Sequence, residues 1–113
     1  MVNETTPLSR LIGWKRYVKI VSEAVRKVIP EARVYLIGGA AESRLTIESD
    51  IDLLVVLPRE IDFREAVELR AKILEEAEKL TLPPHAPVEL HLISNGELGE
   101  YRKRGKVISE EDI

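Results

Sequence analysis

The sequence predicts an α/β (α+β) domain, a small sheet of at least three strands flanked by helices. Short aliphatic runs end at glycine or proline, the segments between them have helical periodicity, and the two kinds of segment alternate. A chain of 113 residues suffices for one domain. We therefore predict a single domain over 1–113, with its core at about 7–94 and a charged tail at 95–113.

Two segments carry apolar residues at the three- and four-residue steps of a helix. The first is 7–29, which Pro30 ends. The second opens at Asp62, with Glu65 three residues later as in a capping box. Its predicted buried stripe is Phe63, Ala66, Leu69, Ile73, Ala77 and Leu80. A short helix is predicted over 98–104, and the final residues of the chain are expected to fray.

Three aliphatic runs are predicted strands: 33–37, 51–57 and 88–94. The second is apolar for most of its length, which indicates a strand covered on both faces. In the third, alternation places Val88, Leu90 and Leu92 on one face and Glu89, His91 and Ile93 on the other. The helix between the last two strands favours parallel pairing.

Composition excludes several classes of function. The chain has no cysteine, which excludes disulfides and thiolate sites, and its two histidines argue against an all-histidine zinc site. A net charge of -3 gives no overall attraction to nucleic acid or anionic lipid. No run is long and apolar enough for a membrane helix, so we expect a cytoplasmic protein. The absence of Gln, with only two Asn, leans towards a thermophilic source.

Residues 36–57 carry the pattern that points to chemistry. Gly38 and Gly39 close a strand, where they let the backbone approach a ligand such as a phosphate. Asp50 and Asp52 open the next strand, and alternate strand residues point the same way about 6.6 Å apart. Two unpaired carboxylates there would repel each other, and a divalent cation such as Mg²⁺ relieves that repulsion. A bare D-x-D more often caps a turn, but the apolar strand and glycine pair favour a metal site.

The third strand offers further candidates. Glu89 lies between Val88 and Leu90, where a carboxylate needs a partner or a metal unless the strand lies at an edge. His91 shares its face, and we interpret it as a half-buried sheet residue more readily than as a site residue.

The strand, the glycine pair and the Asp-x-Asp motif together resemble the nucleotidyltransferase superfamily of the DNA polymerase β type, in particular its minimal members. The resemblance covers 33–57 and extends to about residue 94. It implies a nucleotidyltransferase fold with a small mixed sheet, and attack on the α-phosphate of an NTP with loss of pyrophosphate. Gly38 and Gly39 would hold the phosphates.

The resemblance also assigns the metal. Asp50 and Asp52 would bind two Mg²⁺ ions, and Glu89 would bind one of them and help to activate the attacking hydroxyl. Gly39 stands where the family usually has Ser. Ser43 is the candidate substitute, and Arg44 is the nearest cation for the triphosphate.

The resemblance implies an acceptor as well. Minimal members often transfer AMP from ATP to a tyrosine of a small HEPN-type partner and so act as antitoxins. The alternative is a binding module that neutralises its partner by contact alone, which the missing Ser favours. Relatives that act on a small-molecule acceptor usually carry a second domain.

Oligomeric state is not decided by the sequence: a homodimer is possible, because edge strands often pair. The basic run at 102–106 is interpreted as a solvated tail more readily than as a phosphate contact.

Overall fold

The computed structural model describes residues 13–42 and 50–113. Its helices are α1 (Trp14–Val28), α2 (Gly38–Ala41), α3 (Phe63–Lys79) and α4 (Leu98–Arg104). Its strands are β1 (Arg33–Ile37), β2 (Ile51–Leu57), β3 (Val88–Ser94) and β4 (Ile108–Ser109). The predicted start of the first helix at 7–12 lies outside the described residues. No described helix is long and apolar enough to cross a membrane.

The described strands form one mixed sheet in the order β3-β2-β1-β4. β1 pairs antiparallel with both β2 and β4, whereas β2 and β3 are parallel. The parallel pairing confirms the expectation drawn from the helical crossover, which is α3. The predicted α/β fold with a small mixed sheet is therefore confirmed.

The sheet separates two apolar clusters. On one face, alternate residues of the strands, such as Leu36, Leu53 and Leu90, pack against α1 and α3. On the other face, Tyr35 and Leu54 pack with the segment that contains α4. Because β2 is covered on both faces, all of its residues except Asp52 are buried, which confirms the prediction for that strand.

Helix α3 begins where the sequence predicts, but its buried stripe is shorter than expected. The Asp62 carboxylate accepts from the backbone N–H of Glu65 at 2.8 Å and caps the helix. Ile73 and Ala77 are buried, whereas Phe63 is 84% exposed. The prediction for Phe63 was wrong, because no described residue covers its side chain in the first turn of α3.

The C-terminal segment also differs from its prediction. Ile108 and Ser109 belong to the segment predicted as a charged tail outside the core, yet they pair with Leu36 and Tyr35 of β1 as the fourth strand. A two-residue strand is too short to leave a periodic signal. Arg26 of α1 also forms an ion pair with Glu110 at 2.8 Å, so the C-terminal segment contacts the first helix as well as the sheet.

Candidate active site at the edge of the sheet

The sheet register brings three potential metal ligands together. Asp52 is the second residue of β2 and pairs in register with Glu89, the second residue of β3. His91 lies two residues further along β3, on the same face. The ligand atoms of these three side chains all lie within 4.8 Å of one another. Parallel pairing therefore joins residues that are 37 positions apart in the chain.

His91 is half-buried in β3, as predicted, and it also lies close to both carboxylates. Its Nε2 lies 3.3 Å from Oδ1 of Asp52 and 3.9 Å from Oε1 of Glu89. The side chains of His91 and Asp52 are 33% and 28% exposed, so both are reachable from solvent while partly enclosed by the sheet. The available signal was the alternation that places His91 on the Glu89 face, but alternation alone does not give the distance to Asp52.

Gly38 fits closely against the same aspartate. Its φ of +71° lies in the left-handed region that favours glycine. A Cβ atom at this position would lie 2.7 Å from Oδ2 of Asp52, which is closer than a van der Waals contact. The Asp52 carboxylate therefore occupies space that is free only because Gly38 has no Cβ atom. Gly39 follows as the second residue of α2 and is half-buried.

The other predicted site residues are not in this cluster. Asp50 is exposed and precedes β2, which begins at Ile51, so the strand pleat does not direct its side chain. Among the described residues, its carboxylate is not grouped with those of Asp52 and Glu89. Ser43 and Arg44 lie outside the described residues.

The donor set suits a divalent cation. Two ligands that each lie about 2.1 Å from a metal ion can be no more than about 4.2 Å apart. The separations of His91 from Asp52 and Glu89, 3.3 and 3.9 Å, fall within that span. Carboxylates suit Mg²⁺ and Mn²⁺, and the imidazole adds a ligand that suits transition metals better than Mg²⁺. Asp52, Glu89 and His91 can therefore hold such an ion after small side-chain movements.

Solved structures share this fold. A candidate nucleotidyltransferase from Sulfolobus solfataricus is 19% identical with a TM-score of 0.61, over 96% of this chain and 89% of the other. A second candidate nucleotidyltransferase is 23% identical with a TM-score of 0.53, over 86% and 97% of the two chains. A toxin-antitoxin structure with AMP-PNP is 18% identical with a TM-score of 0.54, over 82% and 71%. At these identities the likeness establishes the fold.

Comparison with curated proteins finds no significant match. A sequence profile of the nucleotidyltransferase domain, however, matches residues 15–109, which include β1, the glycine pair and all three clustered ligands. The match spans most of the chain, and the chain belongs to the nucleotidyltransferase domain family.

Proposed function

We propose that the protein is a Mg²⁺-dependent nucleotidyltransferase that moves AMP from ATP to an acceptor hydroxyl. The observation that carries the proposal is the approach of Asp52, Glu89 and His91 beside the Gly38 turn. Family membership supports the reaction class. A structural neighbour that contains AMP-PNP supports an adenine nucleotide. We also propose that the protein works in the cytoplasm, where ATP is available.

In the proposed reaction, the acceptor oxygen forms a bond to the α-phosphorus and the bond from that phosphorus to the bridging oxygen breaks. Pyrophosphate leaves with the bonding electrons. The Glu89 carboxylate accepts the proton of the attacking hydroxyl. Because Gly38 has no Cβ, the Asp52 carboxylate keeps its place beside the turn where the nucleotide would bind. Bound divalent ions would supply charge stabilisation to the attacking and leaving oxygens.

The metal ligands are proposed residue by residue. Asp52 and Glu89 are proposed to hold one ion together with His91, because their ligand atoms lie close to one another. Asp50 is proposed as a ligand of a second ion, because it lies two residues before Asp52 and is open to solvent. Gly38, Gly39, Ser43 and Arg44 are proposed to contact the nucleotide.

The proposed acceptor is a tyrosine of a HEPN-type partner, which gives the protein an antitoxin role. The resemblance to minimal nucleotidyltransferases and the toxin-antitoxin neighbour support this assignment. The net charge of -3 makes a nucleic acid acceptor less favourable.

Labelling tests the proposal. Wild type, Asp52→Asn and the exposed control Asp112→Asn are incubated with Mg²⁺, ATP labelled at the α-phosphate and a lysate of the source organism. We expect one discrete protein to carry label with wild type and Asp112→Asn only, and mass spectrometry to place AMP on a tyrosine. Label that persists at the wild-type rate with Asp52→Asn would contradict the assigned site.

A second candidate function is neutralisation of a partner by contact alone. Gly39 offers no hydroxyl to a phosphate, and this favours the contact-only function. In that case, Asp52→Asn would bind and neutralise the partner as wild type does, without ATP. Under the enzymatic proposal, the Asp52→Asn variant no longer neutralises the partner. A partner whose acceptor tyrosine is replaced by phenylalanine likewise escapes neutralisation by the wild-type protein.

A further inference from the structure

A cavity of about 240 Å³ is lined in part by Gly38, the residue that fits closely against Asp52 of the carboxylate cluster. Its other walls come from Ile37 of β1, from Glu42 directly after α2, and from the end of α4 and the residues that follow it, including Tyr101, Arg104 and Lys106. The two cations belong to the basic run that the sequence analysis interpreted as a solvated tail. Arg104 is the last residue of α4, and Lys106 lies between α4 and β4. Both side chains are exposed, while Tyr101 and Val107 of the same segment pack on the face of the sheet that carries Asp52.

The sheet fixes the position of the cavity relative to the carboxylates. Ile37 of β1 pairs with Asp52 of β2, and Asp52 pairs with Glu89 of β3. Because neighbouring strands are about 4.8 Å apart, these three residues form a row across the edge of the sheet. Ile37 also lines the cavity, which therefore begins about one strand spacing from Asp52, on the side away from Glu89.

The cations in the cavity are available to an anion. Neither Arg104 nor Lys106 forms an ion pair with a carboxylate in the part of the chain that the structure describes, whereas Lys103 pairs with Glu100 at 3.5 Å. The Arg104 guanidinium lies 5.5 Å from the centre of the Tyr101 ring, which supports it at the cavity wall.

The described residues that line the cavity carry a net positive charge. Glu42 also lines it, so two cations face one carboxylate. The segment directly after the glycine pair contributes Ala40, Ala41 and Glu42, which bring no positive charge to the nucleotide. Among the described residues that line the Gly38 cavity, Arg104 and Lys106 are the positively charged ones.

We propose that this cavity binds the β- and γ-phosphates of the nucleoside triphosphate, with Arg104 and Lys106 as their ligands. This inference rests on the proposed function and extends its site by one strand. The α-phosphate lies at Asp52 and the leaving pyrophosphate lies over Gly38 towards the two cations. A guanidinium offers a fork of donors to phosphate oxygens and an ammonium offers a compact charge, so both stabilise the charge that develops on the leaving group.

Calorimetric titration of AMP, ATP and inorganic pyrophosphate, with Mg²⁺ present, tests the inference. Arg104→Gln and Lys106→Gln each lose one charge, and Lys103→Gln is the matched control on the same helix. We expect Arg104→Gln and Lys106→Gln to weaken ATP and pyrophosphate binding roughly tenfold or more, the range of charge-assisted hydrogen bonds. AMP affinity should change less than twofold. Arg104→Lys, which keeps the charge, should recover part of the loss.

The possible failures are distinguishable. Equal ATP affinity in Arg104→Gln, Lys106→Gln and Lys103→Gln would overturn this inference and leave the proposed transfer intact. An equal loss for AMP and ATP would also overturn it, because it would indicate a general effect of charge or folding. No binding of any nucleotide by wild type would overturn the proposed function together with the inference.

Discussion

Replacing Gly38 by alanine tests whether the glycine turn shapes the metal site. At a φ of +71° an L-residue costs about 1–2 kcal/mol relative to glycine. The added Cβ would also meet Oδ2 of Asp52 at 2.7 Å, so the carboxylate must rotate. That rotation moves the other oxygen, Oδ1, which lies 3.3 Å from Nε2 of His91. The substitution therefore acts on the fold through the backbone and on the site through Asp52.

The expected sizes follow from these two effects. Unfolding free energy should fall by about 1–2 kcal/mol, and each kcal/mol lowers Tm by roughly 3–8 °C in a domain near this size. Affinity for Mn²⁺, measured by calorimetry as a probe of the metal site, should fall about 10- to 100-fold, as when a residue that orients a metal ligand is lost.

Gly99→Ala is the matched control. Gly99 lies within α4, and a Cβ there meets no described atom within 4 Å. We expect this control to raise stability by roughly 0.5–1 kcal/mol, because alanine is the better helix former, and to leave Mn²⁺ affinity unchanged. The reasoning is refuted if Gly38→Ala has the Tm of wild type or higher, or if it binds Mn²⁺ as tightly as Gly99→Ala does.

Further predictions concern other parts of the chain. His91→Asn should lower the affinity for Mn²⁺ more than the affinity for Mg²⁺, because an imidazole nitrogen suits Mn²⁺ better. Pulsed EPR of the Mn²⁺-bound protein should lose its ¹⁴N coupling in this variant. An unchanged spectrum would show that His91 is not a ligand. Thr81 has a φ of 80°, so Thr81→Gly should raise stability by about 1 kcal/mol in thermal unfolding. The Ser22 hydroxyl is buried without a described partner, and Ser22→Ala should raise stability by about 1 kcal/mol in urea unfolding. The hydrogen bond from Arg59 lowers the pKa of Glu65 below its ordinary 4.5, which favours the folded state above that pH. The Tm advantage of wild type over Arg59→Gln should therefore be present near neutral pH and shrink as the pH falls through the lowered pKa; an advantage that grows with acid would contradict the sign.

The elements that the sequence predicts well are those whose signal is local. β2 is a continuous aliphatic run, so its bounds and its burial on both faces follow from composition. Alternation in β3 places Leu90 in the core and Glu89 on the opposite face. Residue type and spacing are enough for these predictions, because the strand period is two.

The features that depend on partners distant in the chain could not be predicted in the same way. β4 forms because Ile108 and Ser109 pair with the edge of β1 that β2 does not occupy. Phe63 is exposed because nothing in the described structure covers the first turn of α3. His91 contacts Asp52 because the register sets β3 beside β2, and a shift of one residue would turn its side chain to the other face.

The measurement that tests the proposed transfer most directly compares ATP labelled at the α-phosphate with ATP labelled at the γ-phosphate, in parallel reactions with the same Mg²⁺ and lysate. Nucleotidyl transfer keeps the α-phosphate on the acceptor and releases the γ-phosphate in pyrophosphate. We therefore predict acceptor label from α-labelled ATP alone, with none from either substrate in Asp52→Asn. Acceptor label from γ-labelled ATP that also depends on Asp52 would indicate phosphoryl transfer and contradict the proposed function.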